Sequence, residues 1–349
     1  MTNDDRTDIL PLPGAAPRSR SLRAVVQRAL FGIDPRDTSF ARRGFHVPGD
    51  EAVRERLERV GATFVTGYHA ALEEERPEPL AARIDAEVER EWRGFAYEGA
   101  GMALALLDTL LPGWLGRGDR LARFLAGPGA AQTYIIYVGA GWVMARLPVS
   151  PERYISRLTD PVMRWLAMDG FGFHEGFFHA SRSVARQEVP RRVRGYARRG
   201  FDQGLGRSLW FVEGADVGRL PRTIGAFPAD RQPDLWSGLG LACGYAGGRT
   251  RSEIEALLAA AGPHAPQLAQ GVAFAAKARQ RAGSLTAHTE LACQVICRRS
   301  LDEAAAVTDE ALLNLPADFS SSPSDEPDEP AFEVWRRRIQ NQLSQGSPA

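Results

Sequence analysis

The 349-residue chain is 44% hydrophobic and 25% charged, enough to bury a sizeable core in one large or two medium domains. Lys+Arg and Asp+Glu balance at 43 each, which excludes the overall basic footprint of a nucleic-acid binder. No run approaches the roughly 20 apolar residues of a membrane span, and the polar, Pro-rich N-terminal segment holds no apolar signal core, so a cytoplasmic location is expected.

In chain order, residues 1–20, with "LPLPGAAPRSRS" running into residue 21, read as a disordered tail. Residues 21–316 read as one domain of mostly helical pattern. "DEAVRERLERVGATFVTGYHAALEEE" carries apolar residues at helical spacing, and "PEPLAARIDAEVERE" opens after prolines that suit a helix start. The best strand candidate is "TYIIYV" at 133–138. Residues 317–330 are an acidic Ser/Pro linker, and 331–349 are a short amphipathic helix with a tail.

One pattern recurs. "FVTGYHAALEE", "AYEGAGMALAL", "IYVGAGWVMAR", "FHEGFFHASRS", "FDQGLGRSLWF", "LWSGLGLACGY" and "LAQGVAFAAKA" each have glycine fourth: Gly67, Gly99, Gly139, Gly176, Gly204, Gly238 and Gly271. Four residues later stands Ala71, Ala103, Val143, Ala180, Ser208, Ala242 or Ala275, so glycine and a mostly small residue form a groove for close helix packing. A mid-helix glycine costs up to about 1 kcal/mol against alanine, so its recurrence argues for contact. The fold class expected is all-α, a helical-repeat array of about seven helix-pair units, either an α-solenoid or a closed α/α arrangement. The rival reading of "YVGAGWVMARLP" as a dinucleotide fingerprint lacks the third small residue, where Met144 stands, and a following acid.

The alignment gathers scattered residues into rows. Directly before the glycines stand Thr66, Glu98, Val138, Glu175, Gln203, Ser237 and Gln270; one place earlier stand Val65, Tyr97, Tyr137, His174, Asp202, Trp236 and Ala269. In a curved array such rows line one concave surface, so Tyr97, Glu98, Tyr137, His174, Asp202, Gln203, Arg207 and Trp236 are substrate-binding candidates. The alternative is that they are satisfied core or solvent-facing positions.

His174 and His179 are five residues apart, about 140° around an ideal helix, so the zinc-protease arrangement fails and no metal is expected. Glu175 and His179, at i and i+4, are the candidate catalytic acid/base pair, or else an ordinary helix pair. Cys243, Cys293 and Cys297 read as buried small hydrophobes, and Lys277 is the only lysine. Between Arg182 and Arg207 lies the one basic cluster, a solvated face or a contact for an anionic substrate or an acidic carrier protein. No Gly-x-Ser-x-Gly elbow, Walker loop or CxxC is present, and no cofactor is expected.

"RALFGID", "DGFGFHEGFFH", "RGFDQGLGRSLWF" and "WSGLGLACGYAGG" make the chain resemble the domain of unknown function 1702 family over about residues 23–315, with the tails outside it. Its members are often encoded beside enediyne polyketide and other specialised-metabolite genes. The resemblance implies a biosynthetic setting and no reaction. The function expected is therefore an accessory of such a pathway that binds a long apolar intermediate or its carrier protein. The alternative is a metal-free cyclase or isomerase acting by acid/base catalysis on a polyene or terpenoid-like substrate. Neither nucleic acid nor a membrane span is expected.

Overall fold

Every one of the seven aligned glycines lies inside a helix. The computed structural model describes residues 21–47, 49–111, 118–315 and 329–345; the expected N-terminal tail and acidic linker fall outside them apart from Glu329 and Pro330. The regular secondary structure of the described residues is all helical, with no strand among them. The helices bearing the glycines are α1 (Glu51–Glu73), α2 (Arg93–Leu110), α3 (Thr133–Arg146), α4 (Leu166–Phe178), α5 (Ala197–Val212), α6 (Gln232–Ala246) and α7 (Ala265–Arg281). They are followed by α8 (Leu301–Leu312) and α9 (Ala331–Gln345).

Local chemistry sets their ends. Asp50 accepts from Ala52 N–H to start α1, and Pro77 opens the short connecting helix Pro77–Glu87, as its proline predicts. Thr250 and Glu253 close a reciprocal capping box at the start of Arg251–Ala261. The strand candidate at 133–138 is instead the first half of α3. Every residue from Tyr134 to Met144 is buried, so the apolar run has no polar face to reveal its period, and a buried helix reads like a buried strand.

Each glycine-bearing helix packs on the next in sequence, and α7 packs on α8 and α9. Successive helices run antiparallel: Gly101 lies against Ile136, while Glu98, three residues back along α2, lies against Gly139, three residues on along α3. A Cβ on Gly67, Gly99, Gly139, Gly204, Gly238 or Gly271 would sit under 3.0 Å from a carbonyl oxygen of the neighbouring helix. Glycine is required there because backbone touches backbone. In α2 to α6 a second glycine two residues on faces the other neighbour: Gly99 meets α1 and Gly101 meets α3, and Gly204 meets α4 and Gly206 meets α6.

The dyad corrects one register. In α4 the glycines that touch neighbouring backbones are Gly170, against Val138 of α3, and Gly172, against Phe201 of α5; Gly176 meets the Ser208 and Leu205 side chains instead. Replacing Gly176 by Gly170 changes the adjoining intervals from 37 and 28 residues to 31 and 34. The residue before the glycine in α4 is then Asp169, not Glu175. The row also curls, since α6 touches α1 and α7 touches α3. α9 seals one side: Trp335 is fully buried, donates from Nε1 to Thr308 O at 2.8 Å and stacks on Phe274 at 4.5 Å.

Candidate functional site

Of the residues preceding the glycines, Glu98, Asp169, Gln203, Ser237 and Gln270 form a buried polar spine, while Thr66 is exposed and Val138 apolar. Glu98 Oε1 lies 3.3 Å from Arg207 Nη1, and Arg207 Nε lies 2.9 Å from Asp169 Oδ1. Gln203 Nε2 donates to Asp169 Oδ2 at 3.0 Å. Ser237 Oγ lies 3.3 Å from Gln203 Oε1 and 2.8 Å from Gln270 Oε1, and its single proton goes to the nearer. At the far end Arg336 of α9 donates from Nε to Gln270 Oε1 at 3.4 Å and pairs with Asp234 at 2.6 Å. Asp169 escapes an alignment set on the E-G of Glu175 and Gly176; the Gly-x-Gly of "DGFG", shared with "EGAG" and "QGLG", is the signal that finds it.

Above the Glu98 and Arg207 end lies a narrow apolar cavity of about 40 Å³. Its walls come from α1 to α6 and from Ile33 and Thr38 of the segment before them, and carry Phe64, Phe95, Trp142, Phe173, Phe177, Phe178, Phe211 and Tyr245. The Arg207 guanidinium also sits 4.2 Å from the Phe173 ring centre. One arginine thus serves two buried carboxyls. Burial, reinforced by Asp169 and opposed by Arg207, pushes the Glu98 carboxyl above its usual range; burial does the same to Asp169, against Arg207 and Gln203. Glu98 is the one of the two that lines the cavity.

Not all candidates converge here. Glu98, Gln203 and Arg207 face the spine, but the residues one place earlier turn toward the connecting segments. Tyr97 stacks on Phe124 of the Arg120–Ala126 helix at 5.6 Å. Tyr137 Oη lies 3.0 Å from Thr159 Oγ1 and accepts from Asp160 N–H. Asp202 pairs with Arg231, at the cap of α6, and Trp236 lies parallel to His264 at 6.5 Å. These four are buried docking points for connections and form no common surface with Glu98.

At the C-terminal end of α4 the ideal-helix argument fails. The helix stops at Phe178, and His179 adopts φ −130°, ψ 38°, followed by a π-turn over Ser181–Ala185. That break brings ligand atoms of His174, Glu175 and His179 within 4.8 Å of one another. His174 is buried between Trp142 and Phe178, with ring centres at 5.4 and 4.7 Å, while His179 is exposed. Glu175 Oε1 lies 3.7 Å from His174 Nδ1, and Arg182 donates to Oε2. Burial alone would raise the Glu175 carboxyl, but His174 and Arg182 outweigh it and hold it below its ordinary value.

Over residues 22–343 the sequence matches the model of a protein family of unknown function, DUF1702. The chain belongs to that family. No curated protein and no solved structure matches it. The DUF1702 match runs past the expected boundary near residue 315 and takes in most of α9, whose Trp335 and Arg336 complete the core and the spine.

Much of the basic cluster of this DUF1702 chain is engaged internally. Arg199 pairs with Asp234 at 3.0 Å and Glu333 at 2.7 Å, and Arg192 donates to Met144 O while lying 5.0 Å from the Phe171 ring centre. Arg182, Arg191 and Arg192 line an open cleft with Glu175 and His179. The three cysteines are buried and free, and Lys277 pairs with Asp309 at 2.5 Å. No helix among the described residues is long and apolar enough to cross a membrane.

Proposed function

We propose that this protein, in the cytoplasm and within specialised-metabolite assembly, isomerises or cyclises an apolar unsaturated chain by proton transfer, with Glu98 as the acid. The observation that carries the reading is the Glu98 carboxyl, held toward its protonated form at the end of a cavity walled by aromatic rings. A carboxylic acid in such surroundings delivers its proton to a carbon–carbon double bond; the π electrons form the new C–H bond and leave a cation on the adjoining carbon. Ring faces stabilise that cation. The Glu98 carboxylate then removes a proton from a carbon next to the cation, before or after an internal double bond has attacked it, and the net change is isomerisation or cyclisation. Arg207 and Asp169 position and tune Glu98. Because the cavity of about 40 Å³ is far below the roughly 300 Å³ of a ligand pocket, substrate entry requires rings of its wall to rotate aside.

The seven glycine-bearing helices with their connecting segments support a reading as helix-pair units of one α/α array, with α9 as its cap. A second function remains on one observation. The open cleft of about 490 Å³ beside Arg182, Arg191 and Arg192 suits an acidic carrier protein, which would make the protein an accessory that holds the intermediate. Metabolite profiling of a deletion strain separates the two. Complementation with Glu98→Gln is expected to leave product absent although the variant folds, and full rescue would remove the proton-transfer proposal. Glu175→Gln and His179→Ala test the i, i+4 acid/base pair in the same strain.

A further inference from the structure

We propose that His174, Glu175 and His179 bind a divalent transition metal, zinc or ferrous iron by ligand type, at a site that shares the Trp142 and Phe178 wall with the Glu98 cavity but not Glu98 or Arg207, and that does not rest on the proton-transfer reading. Two imidazoles and one carboxylate are the donor set that leaves coordination positions open on such metals. Their ligand atoms already lie within 4.8 Å of one another. Bond lengths of about 2.0–2.2 Å require each to move inward by on the order of 1 Å.

Three features favour a metal over a purely structural contact. His174 is 5% exposed, and its Nδ1 is buried without a hydrogen-bond partner, an unmet need that a metal satisfies. Trp142 and Phe178 fix the plane of its ring, the role an apolar shell plays around a metal ligand. Arg182 occupies only Oε2 of Glu175, leaving Oε1 beside His174. The residue that completes the set, His179, is exposed on the wall of the open cleft, so metal can enter and its remaining positions face solvent. The chain places His179 there by ending α4 one residue early; on a continued helix the two histidines would diverge.

The test is metal binding by the full-length protein, stripped with chelator and titrated with Zn²⁺ and Co²⁺, with no activity measurement needed. One equivalent of Zn²⁺ is expected, with a Co²⁺ ligand-field spectrum of mixed nitrogen and oxygen donors. His179→Ala, at an exposed position outside the core, is expected to weaken Zn²⁺ by roughly 100-fold with unchanged helicity, and Glu175→Gln to do likewise. Arg182→Ala removes a competing cation and is expected to tighten binding. Wild-type protein that takes up no stoichiometric metal, or a His179→Ala variant that binds as tightly as wild type, overturns the site; an Arg182→Ala variant that does not tighten overturns Glu175 as a ligand.

Discussion

Arg207 Nε lies 2.9 Å from Asp169 Oδ1, and the same guanidinium reaches Glu98 on a third helix. Removing it strands two carboxyls in the interior. Arg207→Met is expected to cost about 3–5 kcal/mol at pH 8. Both carboxyls, already raised by burial, would lose the charge that opposes the rise and move further up, so the folded state binds more protons and stability falls as pH rises from the unfolded carboxylate range toward the folded-state values. Urea melts at pH 5 and pH 8 check this, with the smaller loss expected at pH 5.

Glycine substitutions read the helix register directly. Gly204→Ala and Gly170→Ala drive a methyl into the backbone oxygens of Asp169 and Val138 and are expected to cost about 3 kcal/mol or more. Gly176→Ala meets side-chain atoms of Ser208 and Leu205 and is expected to cost less than Gly170→Ala. Gly225, exposed at the end of its short helix with nothing within 4 Å of a new Cβ, is the control: alanine there is expected to add about 0.5 kcal/mol. Thermal melts of the four variants give the order.

His69 sets an acid limit. Its Nε2 accepts from Ile33 N–H at 3.1 Å, and burial, aided by the charge of Arg28, lowers its pKa to about 4. Below about pH 6.5 the unfolded chain takes up a proton that the folded protein does not, so stability is lost as pH falls from there to about 4. A shift of this size is worth roughly 3 kcal/mol. His69→Gln, which keeps a side-chain oxygen acceptor, is expected to flatten that part of the stability–pH curve, measured by denaturant melts at half-unit steps.

The last helix belongs to the folding unit. Trp335→Ala removes a fully buried indole from Phe274 and Thr308 and is expected to cost about 3–5 kcal/mol. An equal loss of near-UV and far-UV signal through one melt would show that α9 unfolds with the rest of the protein.

The all-helical class, the helix start at Pro77 and six of the seven glycine contacts were legible, because a helix-opening proline and backbone-contact glycines are local demands written in residue type. What failed was equivalence within α4. Two acid–glycine dipeptides six residues apart in "DGFGFHEG" fit the same pattern, and only the neighbouring backbones distinguish Gly170 from Gly176. The helix end at His179 was hidden as well, since neither glycine nor proline marks it. Tyr97 and Tyr137 resemble site residues in sequence because an aromatic ring with a hydroxyl serves equally to pin a connecting segment.

Main chain resting on main chain leaves no layer of side chains to yield between α1 and α7. A helix in such a row cannot slide or tilt without carrying both neighbours, because its two glycines bear on opposite sides. The chamber among these helices therefore behaves as a stiff frame with a pliable lining: its capacity is set by the torsions of the side chains that wall it. A guest that reshapes the rings would leave the helix axes where they stand.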